Sequence, residues 1–212
     1  MRAAALRAGG EPDLAREALE RALALEPERA SAIAELASLA AERGEPKAAI
    51  ALYDRASRAD PDASEYAWQA IQLFVGAGED AEAERRLEAL LISDALHTEA
   101  ASLRARQLIE SDPERARILA RRAVRLRGGP DALEVLGRIY LVSGDAEQAA
   151  KLLGRSVELQ PDRPSTRYWL GMALSATGDE VGARRELKAA LAAGDFPERD
   201  DAQVALTRLN AD

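Results

Sequence analysis

Along residues 130–163, PDALEVLGRIYLVSGDAEQAAKLLGRSVELQPDR, apolar side chains recur in two blocks with helical spacing. Leu133, Leu136, Gly137 and Tyr140 fall at i, i+3, i+4 and i+7, one face of a helix. Ser143-Gly144-Asp145 interrupts the pattern: glycine closes a helix in the left-handed conformation, and an acid beside it favours the N-terminus of the next. Ala149, Leu153 and Ser156 form a second stripe, and Pro161 marks the exit. The pattern predicts a helix–turn–helix hairpin, which cannot bury its own stripe and must stack on neighbours. Gly137 then belongs where the two helices approach most closely, because only a small residue fits there.

The same punctuation recurs along the chain. Gly10, Gly44 and Gly78 are 34 residues apart, as are Gly144 and Gly178, and each is followed by Glu or Asp. From Gly78 to Gly144 the interval is 66, two periods less two residues. Such a period signals a stacked array. Residues 164–197 repeat the pattern with Leu170, Gly171, Leu174, Gly178, Ala183, Leu187 and Ala190, and residues 30–63 with Ile33, Leu36, Ala37, Gly44, Ala49, Tyr53, Ala56 and Pro61. Residues 64–97 fit more loosely, keeping Gly78, Ala83 and Leu87. Residues 98–129 keep Ala116, Ala120 and Ala123 but have no turn glycine; Asp112-Pro113 is expected to start the second helix there.

These residues resemble the tetratricopeptide repeat, W-x2-L-G-x2-Y…A-x3-F…P over 34 residues. The resemblance implies an all-α fold, a right-handed superhelical α-solenoid of helix–turn–helix hairpins. It divides the chain into a partial hairpin (1–29), repeats at 30–63, 64–97, 98–129, 130–163 and 164–197, and a C-terminal capping helix (198–212). Phe196-Pro197 opens the cap, with Asp200, Asp201, Gln203, Thr207 and Arg208 directed to solvent. At the other end, Ala15, Leu19, Ala22 and Pro27 complete a second helix, but fewer than ten residues precede Gly10. The expectation is a C-terminal part of a longer array whose residues 1–9 fray. Residues 168–209, above all GDFPE at 194–198, are also similar to the C-terminal repeats of large proteins of the bacterial exosortase and exopolysaccharide (PEP-CTERM) systems. That similarity implies a periplasmic or cell-envelope location; without it the expectation is the cytoplasm.

Composition narrows the function. With aromatics at 4%, the core must be built from Ala and Leu. Twenty-nine basic against 37 acidic residues give −8, which argues against nucleic acid as a partner. The chain has no Cys, and no apolar run approaches the length that spans or inserts into a membrane. His97, the only histidine, falls between repeats and is expected to be a solvated connector. Acid pairs such as Glu79/Asp80 and Asp200/Asp201 sit at turns and helix starts, where capping and complementarity to the helix dipole are the expected roles. No nucleophile motif, phosphate loop or calcium loop is present, so no catalytic residue, cofactor or metal is expected.

What remains is a binding surface. The resemblance implies that first helices line a concave groove, with Ala34, Trp68, Ser102, Glu134 and Tyr168 at one equivalent position and Ser38, Gln72, Arg106, Arg138 and Met172 four residues on. The expected groove site is therefore Trp68, Gln72, Arg106, Glu134, Arg138, Tyr168 and Met172, with aromatics for apolar contact and arginines as forked donors. Such a lining suits a protein or extended peptide carrying apolar and acidic residues. The Lys/Asn clamp of chaperone-binding relatives cannot be assembled, because the lysines stand at 47, 151 and 188, off the first helices, and Asn210 is the only asparagine. A second candidate is the convex stripe Arg117, Arg121 and Arg125, in a segment (98–129) with eight Arg and four acids. It reads either as a solvated outer face or as a dock for an acidic partner. The function expected is a non-enzymatic scaffold; the rivals are a polysaccharide or small-ligand binder and a structural spacer.

Overall fold

The computed structural model describes residues 9–126 and 129–210, among which there are twelve helices and no strand. The chain divides into two compact units, residues 1–95 and 96–212. The first contains α1 (Pro12–Leu25), α2 (Ala30–Glu42), α3 (Pro46–Ala59), α4 (Ser64–Gly76) and α5 (Asp80–Ser93). The second contains α6 (Thr98–Leu108), α7 (Pro113–Leu126), α8 (Pro130–Val142), α9 (Ala146–Leu159), α10 (Pro164–Thr177), α11 (Glu180–Ala192) and α12 (Arg199–Leu209). Within each unit every helix packs on the next; in the second, α6 also meets α8 and α8 meets α10, so first helices form a continuous row. None of the described helices is long and apolar enough to cross a membrane.

The periodic glycines close the hairpins. At Gly144, with φ of +85°, the chain reverses while the Asp145 N–H donates back to the Tyr140 carbonyl at 2.9 Å. Phe74 and Leu174 accept the equivalent bonds from Glu79 and Asp179, both at 3.0 Å, which satisfies carbonyls a helix end leaves orphaned. The turn without glycine, between α6 and α7, stays right-handed: Asp112 N–H donates to Leu108 O at 2.9 Å, and the Asp112 carboxylate accepts from Arg115 N–H at 3.1 Å. Pro113 then opens α7 as expected.

Packing inside each hairpin depends on small residues. Ala49, Ala83, Ala116, Ala149 and Ala183, one per second helix, are all fully buried. A Cβ placed on Gly137 would lie 2.7 Å from Leu153 Cγ, and one on Gly171 would lie 2.8 Å from Leu187 Cγ. Both glycines mark the close crossings the periodicity predicts. At the C-terminal end Phe196 buries itself among Tyr168, Leu187, Ala202 and Leu206, while Asp200, Asp201, Gln203, Thr207 and Arg208 on α12 face solvent.

His97 is buried, not solvated, and its Nδ1 accepts the Ala100 N–H at 3.3 Å as the N-cap of α6. A helix start leaves N–H groups without partners, and here the imidazole supplies the acceptor that Asp145 and Asp179 supply for α9 and α11. The fraying expectation falls on residues 1–9, of which 1–8 lie outside the described residues.

Candidate partner-binding face

On the row of first helices in the second unit, a buried carboxylate gathers three guanidinium groups from two consecutive repeats. Glu134, mid-row on α8, is only 2% exposed, and its Oε2 accepts from the Thr166 hydroxyl of α10 at 2.6 Å. Arg106 Nη2 of α6 lies 3.6 Å from Glu134 Oε1, Arg138 Nη1 lies 3.9 Å from it, and Arg163 Nη2 lies 3.6 Å from Oε2. Asp131 pairs with Arg163 and stands 4.0 Å from Arg106 Nη2. The contacts of Arg106 and Arg138 to Glu134 are longer than hydrogen bonds. The Nε atoms of both arginines are buried without a hydrogen-bond partner.

Arg138 is the group under most stress. Its guanidinium stacks over the Trp169 ring, 4.4 Å from the centroid. Burial pushes its pKa below the ordinary arginine value; Glu134 opposes that shift and Arg106 adds to it. Trp169 is in turn fixed by its indole N–H, which donates to Glu198 at 3.2 Å, and Ser165 donates to the other oxygen of that carboxylate at 2.8 Å. Three cations therefore share Glu134 and Asp131 beside an aromatic ring, and the Glu198 carboxylate that holds that ring also acts on Arg138.

The seven expected groove residues are distributed unevenly. Arg106, Arg138 and Met172 are half-buried in the second unit. Glu134 and Tyr168 are corrected: both are buried, so neither is a contact surface. Glu134 organises the arginines, and Tyr168 packs among Phe196, Ala202 and Leu206 because the capping helix covers that edge of α10. Desolvation there raises the Tyr168 hydroxyl pKa, with Asp201 and Glu198 adding to the rise. The aromatic beside the arginines is instead Trp169, which meets Tyr168 edge-on at 4.8 Å. In the first unit, Trp68 is half-buried and Gln72 exposed on α4. A cleft of about 360 Å³ between α2 and α4 is lined instead by Ala34, Glu35, Ser38, Glu65, Tyr66 and Gln69. Of the arginine stripe, Arg117 is tied to Glu114 at 2.6 Å, while Arg121 and Arg125 are exposed.

Stacked helical hairpins with left-handed glycine turns and glycine crossings define a helical-repeat protein of the kind that serves as an interaction scaffold. The chain belongs to the tetratricopeptide repeat family, whose sequence profiles match residues 6–73, 110–163 and 134–198. It is 39% identical over 79 residues to TPR repeat-containing protein PA0015 of Pseudomonas aeruginosa, across 35% of this chain and 75% of that protein. Among solved structures it is similar to YrrB, described as a TPR protein with an unusual peptide-binding site, with a TM-score of 0.65 at 22% identity over 91% of this chain and 98% of that one. It is also similar to PilW, a widely conserved type IV pilus biogenesis factor, with a TM-score of 0.65 at 16% identity over 86% and 90% of the two chains. These likenesses establish the all-α repeat fold.

Proposed function

We propose that the chain is a non-enzymatic scaffold whose second unit holds an extended segment of a partner protein along α6, α8 and α10. The observation that carries this reading is the half-buried pair Arg106 and Arg138, whose Nη groups stand 3.6 and 3.9 Å from Glu134, beyond hydrogen-bond length, and so keep donors for a partner. Fixed guanidinium groups beside an indole suit a segment with an apolar anchor and one or two acids. YrrB, similar in fold, is described as having a peptide-binding site, and this supports the same use here. Trp68 and Gln72 on α4 offer a separate contact surface in the first unit. A place in a bacterial exopolysaccharide assembly rests on the GDFPE similarity alone.

The spacer reading has one observation in its favour, the burial of Glu134 and Tyr168, which partly fills the face with its own side chains. Calorimetry with extended dodecapeptides pairing one Leu or Phe with two Asp or Glu separates the two. Arg106→Ala and Arg138→Ala should each cost more than about 1 kcal/mol of binding, since interface energy concentrates in a few arginines and aromatics. Arg121→Glu, on the opposite surface, should leave affinity unchanged. Absence of saturable binding by every such peptide would favour the spacer.

A further inference from the structure

Each unit contains a cleft between consecutive second helices, floored by the first helix between them. In the first unit α1 and α3 flank a cleft of about 250 Å³ over α2; in the second α7 and α9 flank one of about 640 Å³ over α8. The two are built from equivalent positions. Leu36, Ala40, Ala48 and Leu52 in the first correspond to Leu136, Tyr140, Gln148 and Leu152 in the second, each pair 100 residues apart, three periods less two.

Their charges differ. In the first cleft Arg16 donates to Glu20 at 2.8 Å, Arg43 pairs with Asp13, and Glu45 is a further acid in the lining. The second is lined by Arg121 and Arg125 and by no acid. Both arginines are exposed, one helical turn apart, and neither has an ion pair or hydrogen bond among the described residues. Their neighbour Arg117 is already taken by Glu114. Beside these cations lies an apolar floor, and Ile118 at its edge is 64% exposed. An equivalent cleft that balances its own charge shows that the imbalance is not a requirement of the fold.

We propose that this second cleft docks an acidic amphipathic helix of a partner protein. Two carboxylates one turn apart on that helix would meet Arg121 and Arg125, and its apolar stripe would cover Ile118, Val124 and Leu152. Charge complementarity points to an acidic occupant, and the apolar floor points to protein rather than polyanion. Residues 98–129 carry eight Arg and four acids, a net of +4, so a total of −8 leaves −12 on the rest of the chain, which repels a polyanion. The surface is separate from the first-helix face and does not depend on it.

The test uses the full chain and a fluorescein-labelled 18-residue peptide, an amphipathic helix with a Leu stripe flanked by two Glu at i and i+4, read by anisotropy. The wild type should bind saturably, R121E/R125E should weaken binding at least tenfold, and Ile118→Ser should weaken it severalfold. Arg106→Ala should have no effect, which keeps the outcome independent of the first-helix face. A peptide with Lys in place of Glu should not bind, and polyglutamate of equal length should bind at least tenfold more weakly. Equal binding to R121E/R125E with its melting temperature intact, equal binding of polyglutamate, or no saturable binding would each overturn the proposal. Sedimentation showing a dimer that R121E/R125E dissociates would also overturn it, by assigning the cleft to a second copy.

Discussion

Gly137→Val is expected to destabilise the chain by at least about 1–3 kcal/mol, the usual range for overpacking a tight core. The position has no room: a bare Cβ would already lie 2.7 Å from Leu153 Cγ and 3.4 Å from the Ala149 carbonyl oxygen, and Leu153 is fully buried. For a domain of this size each kcal/mol lowers the melting temperature by roughly 2–4 °C. Leu153→Ala should cost about 2–5 kcal/mol by leaving a cavity. Because the two side chains compete for the same space, Gly137→Ala combined with Leu153→Ala should cost less than the sum of the single changes. Thermal or urea denaturation of the wild type, the two alanine variants and their combination measures this, and an unchanged midpoint for Gly137→Val would contradict the crossing.

Glu134→Ala should cost more, about 3–5 kcal/mol, as expected when one member of a buried ionic group is removed. The change leaves Arg106 and Arg138 without their shared anion and orphans the Thr166 hydroxyl. Glu134→Gln should cost less, because its amide oxygen can still accept from Thr166. Pairing Glu134→Ala with Arg138→Met should recover part of the loss, since the uncompensated charge goes with the arginine. Urea unfolding is the readout, and a Glu134→Ala midpoint equal to the wild type would mean that the carboxylate does not organise the cluster.

The fold was legible because its determinants are local and repeat. A left-handed glycine turn, a small residue at each crossing and an apolar stripe are properties of one hairpin, written several times over. Gly137 and Gly171 could be placed from spacing alone for that reason. The site was less legible because it depends on which edge of a first helix meets its neighbour. Tyr168 and Trp169 are adjacent in sequence, yet the capping helix buries the first while the second meets Arg138, and a 34-residue ruler cannot distinguish those edges. Glu134 stands at the same repeat position as Ala34 and Trp68, and only the convergence of Arg106, Arg138, Arg163 and Thr166 makes it an organiser. His97 was missed because histidine is an uncommon cap and its burial comes from packing of the connection.

A partner segment that lies along α6, α8 and α10 beside the arginine cluster would touch Trp169 and both arginines at once. The chain has two tryptophans, so its NMR spectrum should show two side-chain indole N–H signals, and Trp169→Phe identifies one of them. Titrating the labelled full chain with the tightest-binding acidic–apolar dodecapeptide should shift the Trp169 indole and the Arg106 and Arg138 Nε–H resonances together, saturating at the calorimetric affinity. Saturable binding that leaves all three unmoved would contradict that placement.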